Sequence, residues 1–258
     1  MKINLHCHTN YSDGDYIDKM AEEHQKQGFS AFVATDHVYP LHFAIDVRQK
    51  HPKSIISYEK FKQQTQQLAE IEQNLSFPCI QGIELALYGE EVLVFGKQAV
   101  KEIFDFMEHI NIEEQEKYIQ EITYKKKIVT KLINILEKNK DETAVILCHP
   151  HLVDDDWVLK KLYPILDGYE FQNGNTYYFT DATNQNEEQR WDREIPDELK
   201  TKKKFYNSDA HSIRSITQSE GNFHTLKICN LDDLISYIKS PHGENINSNL
   251  LLSQKCKG

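Results

Sequence analysis

The chain has 258 residues, 39% of them hydrophobic and 27% charged, a length and balance that suit one α/β domain of about 250 residues. Its formal net charge of −10 argues against a broadly cationic surface for nucleic acid or acidic lipid and leaves only a local basic cleft open. No run approaches the roughly 18 apolar residues of a membrane span, and no apolar signal region opens the chain, so no membrane role and a cytoplasmic location are expected.

Short apolar runs alternate with longer helical patterns. Residues 3–6 read as a first strand, followed by Ile17, Met20, Ala21 and His24 at helical spacing, with Gly28 where that helix would stop. A second strand is expected at 31–35, a polar helix at 58–75, and strands at 78–84 and 92–95. A lysine- and glutamate-rich helix falls within 113–138. Further strands are expected at 144–148, 169–171, 205–207 and 225–228, and a last helix at 232–238. Strands separated by helices predict βα units and a mainly parallel sheet. The expected organisation is one domain over residues 1–240 and a loosely held tail over 241–258, with a polar loop near 180–204. The five cysteines (Cys7, Cys79, Cys148, Cys229, Cys256) are scattered without a CxxC pair, which argues against a disulfide framework.

The unusual polar residues fall where those strands end. His6 and His8 close the first, Asp36 and His37 the second, Glu84 the third, His149 follows Cys148, and Asp209 and His211 follow Phe205. In a parallel barrel such ends share one rim, where active sites form. The two-residue repeat of a strand puts His6 and His8 on one side with Cys7 opposite, and the same holds for Asp209 and His211 if the chain stays extended. His149 precedes Pro150, which favours an extended backbone and could place His151 beside it. Imidazole and carboxylate without thiolate suit Zn²⁺, Mn²⁺ or Fe²⁺. The eight candidate ligands are His6, His8, Asp13, His37, Glu84, His149, Asp209 and His211, enough for two or three divalent ions with Glu84 as a bridge. Asp13 and Asp15 can equally cap the helix that starts near Tyr16. Asp36 is expected to orient its neighbours. His42 is either a plain loop residue or faces substrate. The remaining histidines (His24, His51, His109, His224, His242) carry no motif.

His-x-His-Thr-x-x-Ser-Asp-Gly (His6 to Gly14), Thr-Asp-His (Thr35 to His37), Gly-Ile-Glu (Gly82 to Glu84), Cys-His-Pro (Cys148 to Pro150) and Ser-Asp-Ala-His (Ser208 to His211) together resemble the polymerase and histidinol phosphatase (PHP) family. The resemblance implies a distorted seven-stranded (β/α) TIM-like barrel and a di- or trinuclear centre that hydrolyses phosphate esters. It implies one ion on His6, His8, Glu84 and Asp209, a second on Asp13, His37 and His211, and a third on Glu84 and His149. The leading expectation is a metal-dependent phosphoesterase acting on a small phosphorylated substrate, with His151 or the neighbourhood of His37, including Asp36, serving catalysis, and Arg193, Arg214 or Arg190, with His42, contacting the phosphate. A phosphodiester-cleaving nuclease and a protein-tyrosine phosphatase fit the same family, the nuclease disfavoured by the acidic balance. A non-catalytic module stabilised by metal is the alternative from another class. The sequence departs from the family pattern at one place: the segment 93–96 reads Leu-Val-Phe-Gly where the family often carries a histidine, which puts the third ion in question.

Overall fold

The computed structural model describes residues 1–39, 57–110, 122–150, 156–174, 196–218, 221–224 and 226–240. His42, His151, Arg190, Arg193 and the tail 241–258 lie outside the described residues. The described elements run β1 (Lys2–Ile3), α1 (Ile17–Lys26), β2 (Phe32–Ala34), β3 (His37–Val38), α2 (Tyr58–Leu75), β4 (Cys79–Gln81), β5 (Ile83–Leu87) and β6 (Glu90–Phe95). They continue with α3 (Lys97–Glu108), α4 (Ile122–Lys138), β7 (Ala144–Leu147), α5 (Asp156–Leu162), β8 (Gly168–Asn173), α6 (Asp197–Lys200) and β9 (Lys203–Asn207). A short 3-10 helix (Ile213–Gln218), β10 (Asn222–Phe223) and α7 (Leu231–Lys239) follow.

The result is a mixed α/β fold with parallel pairing at β2–β4, β3–β5, β7–β8 and β8–β9. Two expectations need correction. β6 runs antiparallel to both β5 and β7, because only two residues, Tyr88 and Gly89, separate it from β5, and both have positive φ (52° and 91°). Two such residues form the tight turn that returns a chain alongside itself. Of the strand expected at 225–228, the described residues 226–228 form none; the last described strand lies earlier, at Asn222–Phe223, where it pairs antiparallel with β1.

The strand ladders form a six-stranded sheet (β3-β5-β6-β7-β8-β9) and two two-stranded sheets, not one continuous ring. Residues 4–8 bridge the gap by individual hydrogen bonds. On one side, Thr35 N–H donates to the Cys7 carbonyl (2.8 Å). On the other, His8 N–H donates to the Ala210 carbonyl (2.9 Å), and Leu5 N–H donates to Asn207 Oδ1 (3.0 Å).

Period-two alternation sorts side chains between two cores. Ile83, Leu85, Val92, Val94, Val145 and Leu147 pack outward against α3, α4 and α5. Leu5, Val33, Ile80, Leu93, Ile146 and Phe205 pack together on the other face, with Leu234, Tyr237 and Ile238 of α7. That second cluster draws on strand segments from both ends of the chain and forms an apolar floor. Among the described cysteines, Cys7, Cys79 and Cys148 are free, whereas Cys229 is disulfide-bonded. No described helix is long and apolar enough to cross a membrane.

Candidate metal centre

Above the apolar floor, separate segments of the chain bring together all eight predicted ligands, with His37 opening β3 and Glu84 lying within β5 rather than closing a strand. His6 Nε2 lies 3.1 Å from Glu84 Oε1 and 3.3 Å from Asp209 Oδ1. His8 Nε2 lies 3.1 Å from His6 Nε2, 2.9 Å from Asp209 Oδ1 and 3.5 Å from Glu84 Oε2. His37 Nδ1 is 2.5 Å from Glu84 Oε2, and Asp13 Oδ1 sits 3.6 Å from His37 Nε2 and 3.4 Å from His211 Nε2. The His37 and His211 rings each stack on His8 with centroids 4.1 Å apart. His149 Nε2 reaches Glu84 Oε1 at 3.2 Å. Glu84 is thus the hub, touching His6, His8, His37 and His149.

The local backbone explains several of these placements. The first N–H of α1, at Ile17, donates to Asn10 Oδ1 (2.9 Å), and Asp15 Oδ2 accepts from Ile213 N–H (3.0 Å). Asn10 thus meets the helix-start donor that Asp13 or Asp15 had been candidates to cap, and Asp13 turns to the histidines. Gly14 lets its loop fold back onto the first segment: a Cβ there would lie 2.3 Å from the His8 carbonyl oxygen. His149 and Asp209 are not extended as expected, but have φ of 25° and 49°. This left-handed region is costly for residues other than glycine and is typical of strained functional sites. At 149 it overrides the extended preference imposed by the following proline.

Asp36 is fully buried and points at the loop that carries Asp13. Its Oδ1 accepts from Thr9 N–H (2.6 Å) and from the Ser12 hydroxyl, and its Oδ2 accepts from the Thr9 hydroxyl (2.6 Å) and from Gln64 Nε2. Arg214 is exposed on the 3-10 helix that follows His211.

Two residues were missed. Glu170, buried on β8, accepts from His6 Nδ1 (2.8 Å) and Asn207 Nδ2 (2.8 Å) at Oε1, and from His149 N–H (3.0 Å) and Asn173 Nδ2 (2.8 Å) at Oε2. A glutamate in an otherwise apolar run at 168–171 was the available signal. Glu91 on β6 places Oε2 3.3 Å from His149 Nε2 and joins His37 and Glu84 in one group with ligand atoms within 4.8 Å of one another.

The electrostatics follow from crowding. Burial opposes charge on His6, but Asp209, Glu84 and Glu170 overcome it and raise the ring well above its ordinary value. Burial likewise opposes charge on His37 and His149, yet their carboxylate neighbours, Glu84 chief among them, lift them to about 10 and about 9. His8 is pushed down to about 4 by burial and by His37 and His211. Glu84 and Asp209 resist burial because His6 beside them holds both below the usual carboxylate range. Burial and the Glu84 carboxylate push Glu91 up to about 7.

This arrangement fits divalent cations. Ionised Glu170 only accepts, so His6 Nδ1 carries a ring proton, and a cation taking the place of the second proton at Nε2 would be held between that nitrogen and the Glu84 and Asp209 carboxylates. His8 Nδ1 is buried without a hydrogen-bond partner, which is costly, and Glu84 Oε2 is met by both His37 Nδ1 (2.5 Å) and His8 Nε2 (3.5 Å). Ligands about 2.0–2.1 Å from one ion at tetrahedral corners lie about 3.4 Å apart, close to the spacings among His6, His8, Glu84 and Asp209. The described groups that can hold an ion include His8 with Asp13, His37 and His211, and His6 with His8 and Asp209.

No protein-family model matches the chain, and no curated protein matches it. Among solved structures, the chain is similar to one from Bifidobacterium adolescentis described as a "putative metal-dependent phosphoesterase". The two share 13% identity with a TM-score of 0.44, over 90% of this chain and 93% of the other.

Proposed function

We propose that this chain is a metal-dependent phosphoesterase of the PHP type, acting on a small phosphomonoester. The observation that carries the reading is the convergence of eight imidazole and carboxylate ligands from five separated segments of the chain, their ring nitrogens and carboxylate oxygens facing one another. Supporting the barrel part of the reading are the hydrogen bonds of residues 4–8 to segments on both sides and the apolar floor shared by strands from both chain ends. Seven strand segments would then complete the circuit, with β6 as the one reversed member.

In this reading His6, His8, Glu84 and Asp209 hold one ion, and Asp13, His37 and His211 hold a second, both drawn from Zn²⁺, Mn²⁺ and Fe²⁺. Bound ions of this kind supply charge neutralisation for phosphate oxygens and lower the pKa of attacking water. The chain's own part is positional. Glu170 fixes the His6 ring through Nδ1 and anchors the His149 backbone, Asp36 fixes the loop of Asp13, and Glu84 ties the two groups together. His151 is assigned the proton for the leaving oxygen, and Arg193 and Arg214, with His42, the phosphate contacts.

The test compares hydrolysis of a nitrophenyl phosphomonoester, its diester and a short oligonucleotide by chelator-treated and Mn²⁺- or Zn²⁺-reloaded protein. Metal-dependent turnover of the monoester above the other two is expected. Undiminished hydrolysis by metal-free protein, or none after reloading, overturns the proposal.

A further inference from the structure

We propose that Asn4 is a positioning residue of the metal centre: its buried amide holds a one-residue slip in the first strand segment that turns His6 and His8 inward, and pins that slip to the segment carrying Asp209. The inference rests on the metal-centre reading above and deepens it with a residue that no motif marks.

Side-chain direction along residues 3–8 does not keep period two. Ile3 and Leu5 both enter the apolar floor. Unbroken alternation would continue inward with Cys7 and send His6 and His8 outward. Cys7 instead packs with Ile17, Met20 and Phe32 on the α1 side, and the two histidines face the centre. The backbone records the same slip. Toward β2, the Lys2 carbonyl accepts from Ser30 N–H (2.9 Å), but farther along it is Cys7, of opposite parity, whose carbonyl accepts from Thr35 N–H (2.8 Å). Along a regular strand, the residues bonded on one side share parity. One extra residue re-aims a strand in this way beside active sites.

Asn4 sits at the slip and is fully buried. One end of its amide meets two backbone N–H groups, those of Ser208 (3.0 Å) and His6 (3.4 Å), so that end is the oxygen. The contact from His6, two residues on, is the Asx-turn bond by which asparagine bends its own backbone. The Nδ2 end donates to Ser208 Oγ (2.6 Å) and Cys7 Sγ (2.8 Å). The amide thus bonds both sides of a join: the segment that carries His6 and His8, and the residue directly before Asp209. Asp209 has a left-handed backbone (φ 49°), and backbone pairing across the join is an isolated bridge between Cys7 and Ala210. Next to the slip, Leu5 N–H goes to a side chain, Asn207 Oδ1 (3.0 Å). A serine at position 4 is too short to span both segments, and an aliphatic side chain would orphan two buried N–H groups.

The experiment is Zn²⁺ titration of chelator-treated protein against a competing chelator, with no substrate present, beside urea unfolding of the metal-free protein. Asn4→Leu keeps the volume and removes every polar contact. At least one Zn²⁺ step should weaken by about tenfold or more, the scale for losing the support of a ligand. Asn4→Asp keeps an oxygen for both N–H groups, and the Ser208 hydroxyl can turn to donate to the second oxygen. It should bind Zn²⁺ no more weakly than the wild type, although its buried charge lowers the urea midpoint. A residue that only supports the fold would lower the urea midpoint in both variants and leave every Zn²⁺ step unchanged, and that result overturns the inference. Asn4→Asp weakened as much as Asn4→Leu overturns it too. Should either variant not fold, Asn4→Ser decides: the same weakening is expected, and wild-type titration overturns the inference. Wild-type protein that takes up no Zn²⁺ sinks the metal-centre reading and this inference together. Zn²⁺ binding that is weakened by Asn4→Leu, in a protein that hydrolyses no phosphomonoester, supports the inference and sinks the phosphoesterase reading alone.

Discussion

Asp36→Asn separates a positioning role from a role in the reaction. The carboxylate is fully buried and accepts four hydrogen bonds, two on each oxygen. Asparagine keeps the shape but turns one oxygen into a donor. If the amide nitrogen replaces Oδ2, the Thr9 hydroxyl can rotate to accept, but Gln64 Nε2 then faces another donor. Gln64 cannot flip freely, because its Oε1 accepts from Gln81 Nε2 (2.7 Å). If the nitrogen replaces Oδ1, the Thr9 backbone N–H is orphaned instead. One fixed buried donor is lost either way, and the remaining bonds lose their charge. An orphaned buried donor costs about 1–3 kcal/mol and a charged hydrogen bond is worth about 1.5–3, so the expected destabilisation is about 2–4 kcal/mol. Urea unfolding of the metal-free protein measures it. Because Thr9 and Ser12 begin the loop that carries Asp13, metal titration of the same variant should show the weakest step, not all steps, displaced. A change below about 0.5 kcal/mol, the size expected at an ordinary surface site, would refute the reasoning, and an inactive but equally stable variant would move Asp36 into the chemistry.

Glu170→Gln should lower affinity for the ion on His6 by about 10–100-fold, the usual cost of losing a carboxylate behind a ligating histidine; unchanged titration would remove Glu170 from that role. Gly14→Ala forces a Cβ against the His8 carbonyl, where backbone cannot give way. A loss of about 1–3 kcal/mol is expected, together with loss of one bound ion, and a fully stable variant with unaltered metal content would contradict the close approach. His24 is buried against Phe29 and Phe32, and burial pushes its pKa down to about 4. Its unfolded value is about 6.5, so its contribution is complete above pH 6.5 and is lost as pH falls from 6.5 to 4, by up to about 3 kcal/mol. Metal-free His24→Gln should therefore lose less stability than the wild type over that window, and parallel urea midpoints for the two proteins would refute the assignment.

The cluster was legible because its residues interrupt apolar runs: His6, His37, Glu84 and Asp209 stand where burial would otherwise demand aliphatic side chains, and four such interruptions must be satisfied together. The helix α3 was not legible as such, since it follows β6 after a single residue, Gly96, and its apolar positions merge with the strand. Nor could local reasoning foresee the left-handed backbone of His149 and Asp209, because its compensation comes from distant partners, such as Glu170 accepting the His149 N–H.

Strand direction is where the sequence reading went astray, and the consequence reaches the chemistry. An apolar run such as Val92 to Phe95 looks alike in either direction, and the expectation of βα units left its reversal unseen, while the family pattern alone drew attention to position 93. The contrary signal was the two-residue spacer Tyr88-Gly89 between runs that both suit strands, a hairpin mark. Reversing the strand reverses which end meets the rim. Leu93 then belongs to the floor, and Glu91, an unremarked charge at the start of a run, comes to lie beside His149. The absence of a histidine at position 93 is therefore not evidence for a smaller centre. The carboxylate this strand brings to the rim is Glu91, 3.3 Å from His149 Nε2.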